Sequence, residues 1–179
     1  MKVSFDLTRQ DYIEYNIFHH LNSKASRKSM QIIRFAIPVI YLLLAYPISK
    51  VSEIPFWWWA TILTIISVVW VIKYPKSFKK TIAKRVGKML DEGKNVGLLG
   101  NRTIEITDTA ITSEGQAGEM KTNWEAVERI CETEDYLFLY IASVQAYIIP
   151  KRAFENKEKE DDFIQTIKKY LQTDPSCVL

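Results

Sequence analysis

From Ile32 to Ile72 the chain is almost wholly apolar, and this stretch limits what it can fold into. Two apolar runs flank a short polar turn, Ser49-Lys50-Val51-Ser52-Glu53. The second run, Ile54 to Ile72, holds 19 residues and no charge. At a rise of 1.5 Å per residue it reaches about 28 Å, near the roughly 30 Å of a bilayer's hydrocarbon core. The first run, Ile32 to Ile48, holds 17 residues and one charge, Arg34, close to its start. An arginine there is expected to snorkel to the headgroups, whereas at mid-bilayer it would cost roughly 2.5–3.5 kcal/mol or more. Trp57, Trp58 and Trp59 open the second run and Trp70 and Tyr74 close it, the aromatic belts of a spanning helix. Pro38 predicts a kink in the first helix and Pro47 its exit. A buried hairpin in a soluble protein is the competing reading, but 179 residues leave little core to cover two helices apolar on every side.

Charge sets the orientation. The net +3 conceals two unlike halves. Residues 1–94 hold 15 Lys and Arg against 6 Asp and Glu, a net of +9, and residues 95–179 hold 9 against 15, a net of −6. Lysines and arginines crowd both outer flanks of the apolar runs, while the turn carries only Lys50 and Glu53. By the positive-inside rule both termini of this multi-pass chain are expected in the cytoplasm, with the turn outside. The first 30 residues lack the apolar core of a cleavable signal. The two cysteines, Cys131 and Cys177, form no CxxC motif and are expected as reduced thiols in a cytoplasmic domain.

Before the hairpin, residues 1–31 read as a cytoplasmic strand and helix. Val3 to Leu7 alternates like a strand. Thr8 then caps a helix running to about Asn22, with Asp11 placed to reach back to the cap. That helix is a poor free-standing one, so it is expected on the membrane surface or against the C-terminal domain. His19 and His20 are adjacent, so on a helix they point about 100° apart and make no two-ligand face for a metal.

After the hairpin, residues 73–94 read as a basic amphipathic linker helix from Pro75 to about Glu92. Phe78, Ile82, Val86 and Met89 or Leu90 recur at helical spacing among the lysines. Such a helix lies on anionic lipid or packs its stripe on the C-terminal domain. Charge alone would admit nucleic acid, but no base-reading motif accompanies it.

Residues 95–172 change to strand periodicity, followed by a tail at 173–179. Arg102 to Thr107 alternates cleanly, Gly115 and Gly118 mark a turn, and Tyr136 to Ile141 is a continuous apolar run suited to the centre of a sheet. Pro150 ends the last strand, because it has no N–H for a ladder. An amphipathic helix from Glu158 to Leu171 closes the domain. The fold class is therefore a membrane α-helical hairpin plus an α+β domain. That domain is a bent antiparallel sheet or barrel of about six strands capped by a C-terminal helix, the outline of a pleckstrin-homology-like domain.

Several segments together carry a family resemblance. They are Phe5-Asp6-Leu7-Thr8 with Asp11-Tyr12, the hairpin, Ile104 to Thr107 before Ile111, Asn123-Trp124 with Val127, Tyr136 to Tyr140, and Ile148-Ile149-Pro150-Lys151-Arg152-Ala153-Phe154. In these the chain resembles the YcxB-like family of small bacterial membrane proteins. The resemblance implies a cytoplasmic pleckstrin-homology-like domain, with no catalytic residues and no established ligand.

The sequence offers no catalytic, cofactor or metal constellation. It has no glycine-rich phosphate loop, no serine elbow and no histidine beyond position 20, and Glu119, Glu125 and Glu128 read as outward-facing. The candidate headgroup or phosphate contacts are Lys84, Arg85, Lys151 and Arg152, the last two competing with acidic partners inside their own domain. The expectation is a non-enzymatic membrane-anchored interaction protein whose partners are the bilayer and an unidentified protein. The alternative is a self-immunity or stress-protection protein acting through its hairpin. Oligomeric state is not encoded legibly.

Overall fold

The structure, a computed structural model, describes residues 1–93 and 97–171. The chain divides into two compact units. One is His20–Arg85; the other joins Met1–His19 to the chain from Val86 onward.

The hairpin unit is built from two long helices. Helix α1 (Arg9–Asn22) enters it, α2 (Lys24–Ser52) forms its first arm, and α3 (Phe56–Glu92) supplies its second. Both arms are long and apolar enough to cross a membrane, and their most apolar windows are only 11% and 6% buried. The turn lies later than expected. α2 continues through Pro47 to Ser52, and Glu53 turns the chain with φ 56°. One proline removes one N–H and crowds one carbonyl, a defect that a helix of 29 residues absorbs.

Pro75 likewise does not begin a new helix but lies inside α3. The reason is local. In an α-helix the Val71 carbonyl would accept from the N–H of residue 75, which proline lacks. Arg34 Nε donates to that Val71 carbonyl at 3.0 Å instead. Arg34 Nε is thus tied to the neighbouring helix. At the other end of the hairpin Trp59 Nε1 donates to Ser52 Oγ at 2.7 Å.

The folded unit holds two antiparallel sheets. The first has the order β1 (Lys2–Leu7), β2 (Gly100–Ile106), β3 (Ala110–Gly115), β4 (Gly118–Asn123); the second has β5 (Arg129–Glu132), β6 (Tyr136–Ala142), β7 (Gln145–Pro150). Among the described residues six strands thus follow the hairpin, and the N-terminal strand adds a seventh at the edge of the first sheet. Val3 faces Ile104 across the β1–β2 pair, and the chain start is fixed by Met1 and Ile106, whose backbone N and O atoms bond reciprocally at 2.7 and 2.8 Å.

The expected barrel does not close. The 3-10 turn Trp124–Ala126 separates β4 from β5, and among the described residues no ladder joins the two sheets. Trp124 is half-buried there, stacked on Tyr170 at 5.0 Å and donating from Nε1 to the Thr107 carbonyl at 3.0 Å.

The β6 run is apolar on both sides because both its faces are covered. Leu137 and Leu139 enter a core with Ile104, Ile149 and Phe163, the last from α4 (Lys157–Tyr170). Phe138 and Tyr140 enter a second core on the opposite face with Leu7, Cys131 and Tyr15 of α1. All four β6 residues are at most 1% exposed, so each contributes about 1.5–3 kcal/mol of hydrophobic stabilisation. The N-terminal helix therefore packs, through Tyr12, Tyr15 and Phe18, on the sheet. Cys131 is fully buried in this second core. Cys177 and the tail from residue 173 lie outside the described residues.

Candidate functional site

The four candidate cations fall in different units. Lys84 and Arg85 lie on α3 in the hairpin unit and both are exposed. Lys151 and Arg152 lie in the folded unit, in the 3-10 turn Lys151–Ala153 that follows Pro150. Pro150 ends the β7 ladder, the Lys151 N–H donates to the Asp135 carbonyl at 2.8 Å, and Phe154 packs on Phe163 at 5.1 Å between ring centroids. The turn is thereby pinned at both ends and its two cations point to fixed partners.

Arg152 grips Asp11 with both ends of its fork. Nη1 donates to Oδ1 at 2.7 Å and Nη2 to Oδ2 at 2.6 Å, while Nη2 also reaches the Asp6 carbonyl at 3.3 Å. Asp11 is 1% exposed. Its carboxylate also accepts from the Thr8 N–H at 2.7 Å, the Thr8 hydroxyl at 2.8 Å and the Tyr136 hydroxyl at 2.9 Å. In return the Asp11 N–H donates to Thr8 Oγ1 at 3.3 Å, which completes the capping box read from the sequence. Burial alone would raise the Asp11 pKa, but the bonds from Arg152, Thr8 and Tyr136 together hold it below the usual carboxylate range. Burial and the same carboxylate push the Tyr136 phenol up to about 12.

Lys151 is equally committed. Its Nζ lies 2.7 Å from Glu132 and 3.0 Å from Glu160, and Lys157 meets Glu160 at 2.6 Å. Burial would lower the Lys151 pKa, but its two glutamates raise it overall. A phosphate approaching this turn therefore competes with carboxylates already in place. Taking Arg152 would leave Asp11 charged and buried, a costly exchange.

α3 meets the folded unit's own residues in its last turns. Val86 and Leu90 are buried. Arg9 donates to both carboxylate oxygens of Asp91, at 2.7 and 3.0 Å, and to the Gly87 carbonyl at 3.0 Å. Lys84 and Arg85 precede this contact, and among the described residues neither makes an ion pair.

Other candidates are occupied or dispersed. His19 packs against Tyr15 and Tyr140, and His20 Nδ1 lies 3.0 Å from Ser26 Oγ. Among the described residues no group of three His, Cys, Asp or Glu side chains is placed to hold a metal. Glu119, Glu125 and Glu128 are exposed, as the alternation implied.

The segment containing this network has a recognisable pattern. Residues 106–167 match the family model described as YcxB-like protein. Over that segment the chain is similar to the YcxB-like family. No curated protein and no solved structure matches the chain. The YcxB-like segment includes Tyr136, Lys151 and Arg152, whereas Thr8 and Asp11 lie outside it. The network therefore ties the N-terminal segment to the YcxB-like core. Asp11 was legible only as a cap; its partner Arg152 is 141 residues away, and periodicity carries no signal over that distance.

Proposed function

We propose that this protein is a non-enzymatic, membrane-anchored interaction protein. The hairpin spans a bacterial inner membrane as a multi-pass anchor. Both termini are cytoplasmic, and the YcxB-like domain, of pleckstrin-homology-like type, binds a protein partner there. The observation that carries the reading is the exposure of the hairpin: two long apolar helices with windows only 11% and 6% buried. In water such surfaces would drive association, whereas in lipid they are the anchor. The excess of lysine and arginine on the outer flanks supports the orientation.

Within the domain the most buried acidic groups, Asp11 and Glu160, are held by Arg152, Lys151 and Lys157. These pairs knit the domain together, which favours a scaffold over a reaction centre. Its net charge of −6 over residues 95–179 sets it against an anionic leaflet and favours a protein partner over lipid. Of the four candidate cations, Lys84 and Arg85 are the two exposed and outside any described ion pair, and so remain open to headgroups.

Crosslinking in native membranes, followed by identification of the captured species, tests the proposal. A discrete protein partner supports it. Capture of lipid alone overturns the protein-partner reading, and loss of that capture on Lys84→Gln with Arg85→Gln would establish headgroup binding.

A further inference from the structure

The folded unit contains a cavity of about 210 Å³, and among the described residues that line it only Arg102 is charged. Leu7, Ile104, Ile141, Ala146 and Ile148 supply apolar wall, and Ser113 and Tyr147 add hydroxyl groups. The charge stands where the strand pattern calls for an apolar residue. Side chains two apart on a strand share a face, so Arg102 shares its face with the core residues Ile104 and Ile106. Its cross-strand neighbours on that face are Phe5 and Gly115. A Cβ at Gly115 would stand 3.7 Å from Arg102 Cγ, so the glycine leaves the arginine stem free of a flanking side chain.

The guanidinium is poorly matched. Nη2 donates to the Gly97 carbonyl, Nη1 lies 3.5 Å from Ser113 Oγ, and Nε is buried with no partner. Among the described residues no carboxylate pairs with it, whereas Lys151 and Arg152 are both paired. Burial depresses the Arg102 pKa, although Tyr147 acts in the opposite sense. A guanidinium remains charged in proteins, so this half-buried cation has no counter-ion among the described residues.

We propose that the cavity binds a short-chain amphiphile with a single carboxylate, its head on Arg102 and its tail against Ile104, Ile141 and Ile148. Charge complementarity selects the head, since the lining offers a cation and no acid. Size selects the tail: at about 30 Å³ per water, the cavity holds about seven water-sized groups, the scale of a six-carbon carboxylate. The unpartnered Nε–H and the N–H groups that Nη1 and Nη2 leave unused suit the two oxygens of a carboxylate.

The test titrates hexanoate into the full chain in lipid nanodiscs, followed by ligand-observed saturation-transfer NMR, with empty nanodiscs subtracted. Hexanoate should bind, hexan-1-ol should bind at least about tenfold more weakly, and Arg102→Gln should weaken hexanoate by about tenfold or more. Ala146→Leu, which fills the cavity and keeps the charge, should remove binding as well, so the result does not hang on how well the arginine variant folds. Equal binding of hexanol and hexanoate, unchanged affinity in either variant, or a signal wholly accounted for by empty nanodiscs would overturn the proposal. So would inorganic phosphate competing as well as hexanoate, which would mark an anion site with no use for a tail.

Discussion

The folded unit turns its apolar side chains inward and the hairpin unit turns them outward. In β6 Leu137 and Leu139 are fully buried; in the hairpin Leu43 is 71% and Ile65 59% exposed. Leucine and isoleucine occur in both units, so the identity of one such residue does not decide whether it is buried. Polar groups follow the same division. In the folded unit a buried carboxylate gathers four donor groups, whereas in the hairpin a single guanidinium covers a single orphaned carbonyl. The comparison teaches that in both units a donor from a distant residue can meet an acceptor that local structure leaves unpaired.

The sharpest way to break this contrast is to put a charge on the exposed face of the hairpin. Ile65→Arg should cost about 2.5–3.5 kcal/mol of membrane insertion, read as the inserted fraction in a microsomal insertion assay. An exposed residue facing water would tolerate the change within about 0.5 kcal/mol, and that outcome would refute the lipid-facing assignment.

Next in size is the carboxylate network. Arg152→Met leaves Asp11 buried without its cation and should destabilise the folded unit by about 2–3 kcal/mol, measured by urea unfolding in detergent. That lies below the 3–5 kcal/mol typical of a fully buried pair, because Arg152 is itself half exposed. A midpoint equal to wild type would show the pair to be incidental. The same network predicts a pH dependence. The Asp11 pKa is lowered on folding, so its contribution is complete above the unfolded value of about 3.9 and fades as pH falls through the lower folded value. Acid titration of the unfolding midpoint should show this loss, and Arg152→Met should blunt it.

The smallest effect sharpens the contrast from the hairpin side. Arg34→Met should weaken helix association by about 1 kcal/mol in SDS titration. In a Pro75→Ala background the new N–H serves the Val71 carbonyl, so the same substitution should cost markedly less. Equal costs in both backgrounds would show that Arg34 acts elsewhere.

Legibility followed the range of the interaction. The apolar runs, the Thr8–Asp11 cap and the double-sided β6 strand were readable, because each is written within a few neighbouring residues. Pro47 and Pro75 misled. A proline signals a stop only if the carbonyl it strands finds no donor, and the donor for Val71 comes from 37 residues away. The division into two sheets was hidden for a similar reason: the turn at Trp124 reads as strand until its stack on Tyr170 is known. Of the candidate cations, Lys151 and Arg152 could be located but their partners could not. Arg102 sat in plain view two residues before Ile104, on the core face of an alternating run, but the missing carboxylate around it shows only in the fold.

A strand dressed on both sides leaves its sheet no flank to lend. With α1 on one surface of β5–β7 and α4 on the other, a visiting protein is turned away from both. The four-stranded sheet keeps one broad open wall, crossed by the row Lys2, Glu105, Thr112 and Lys121 and the row Ser4, Thr103, Glu114 and Glu119. That wall is hydrophilic and carries mixed charge, so a guest arriving there would meet ions and hydroxyls before any grease.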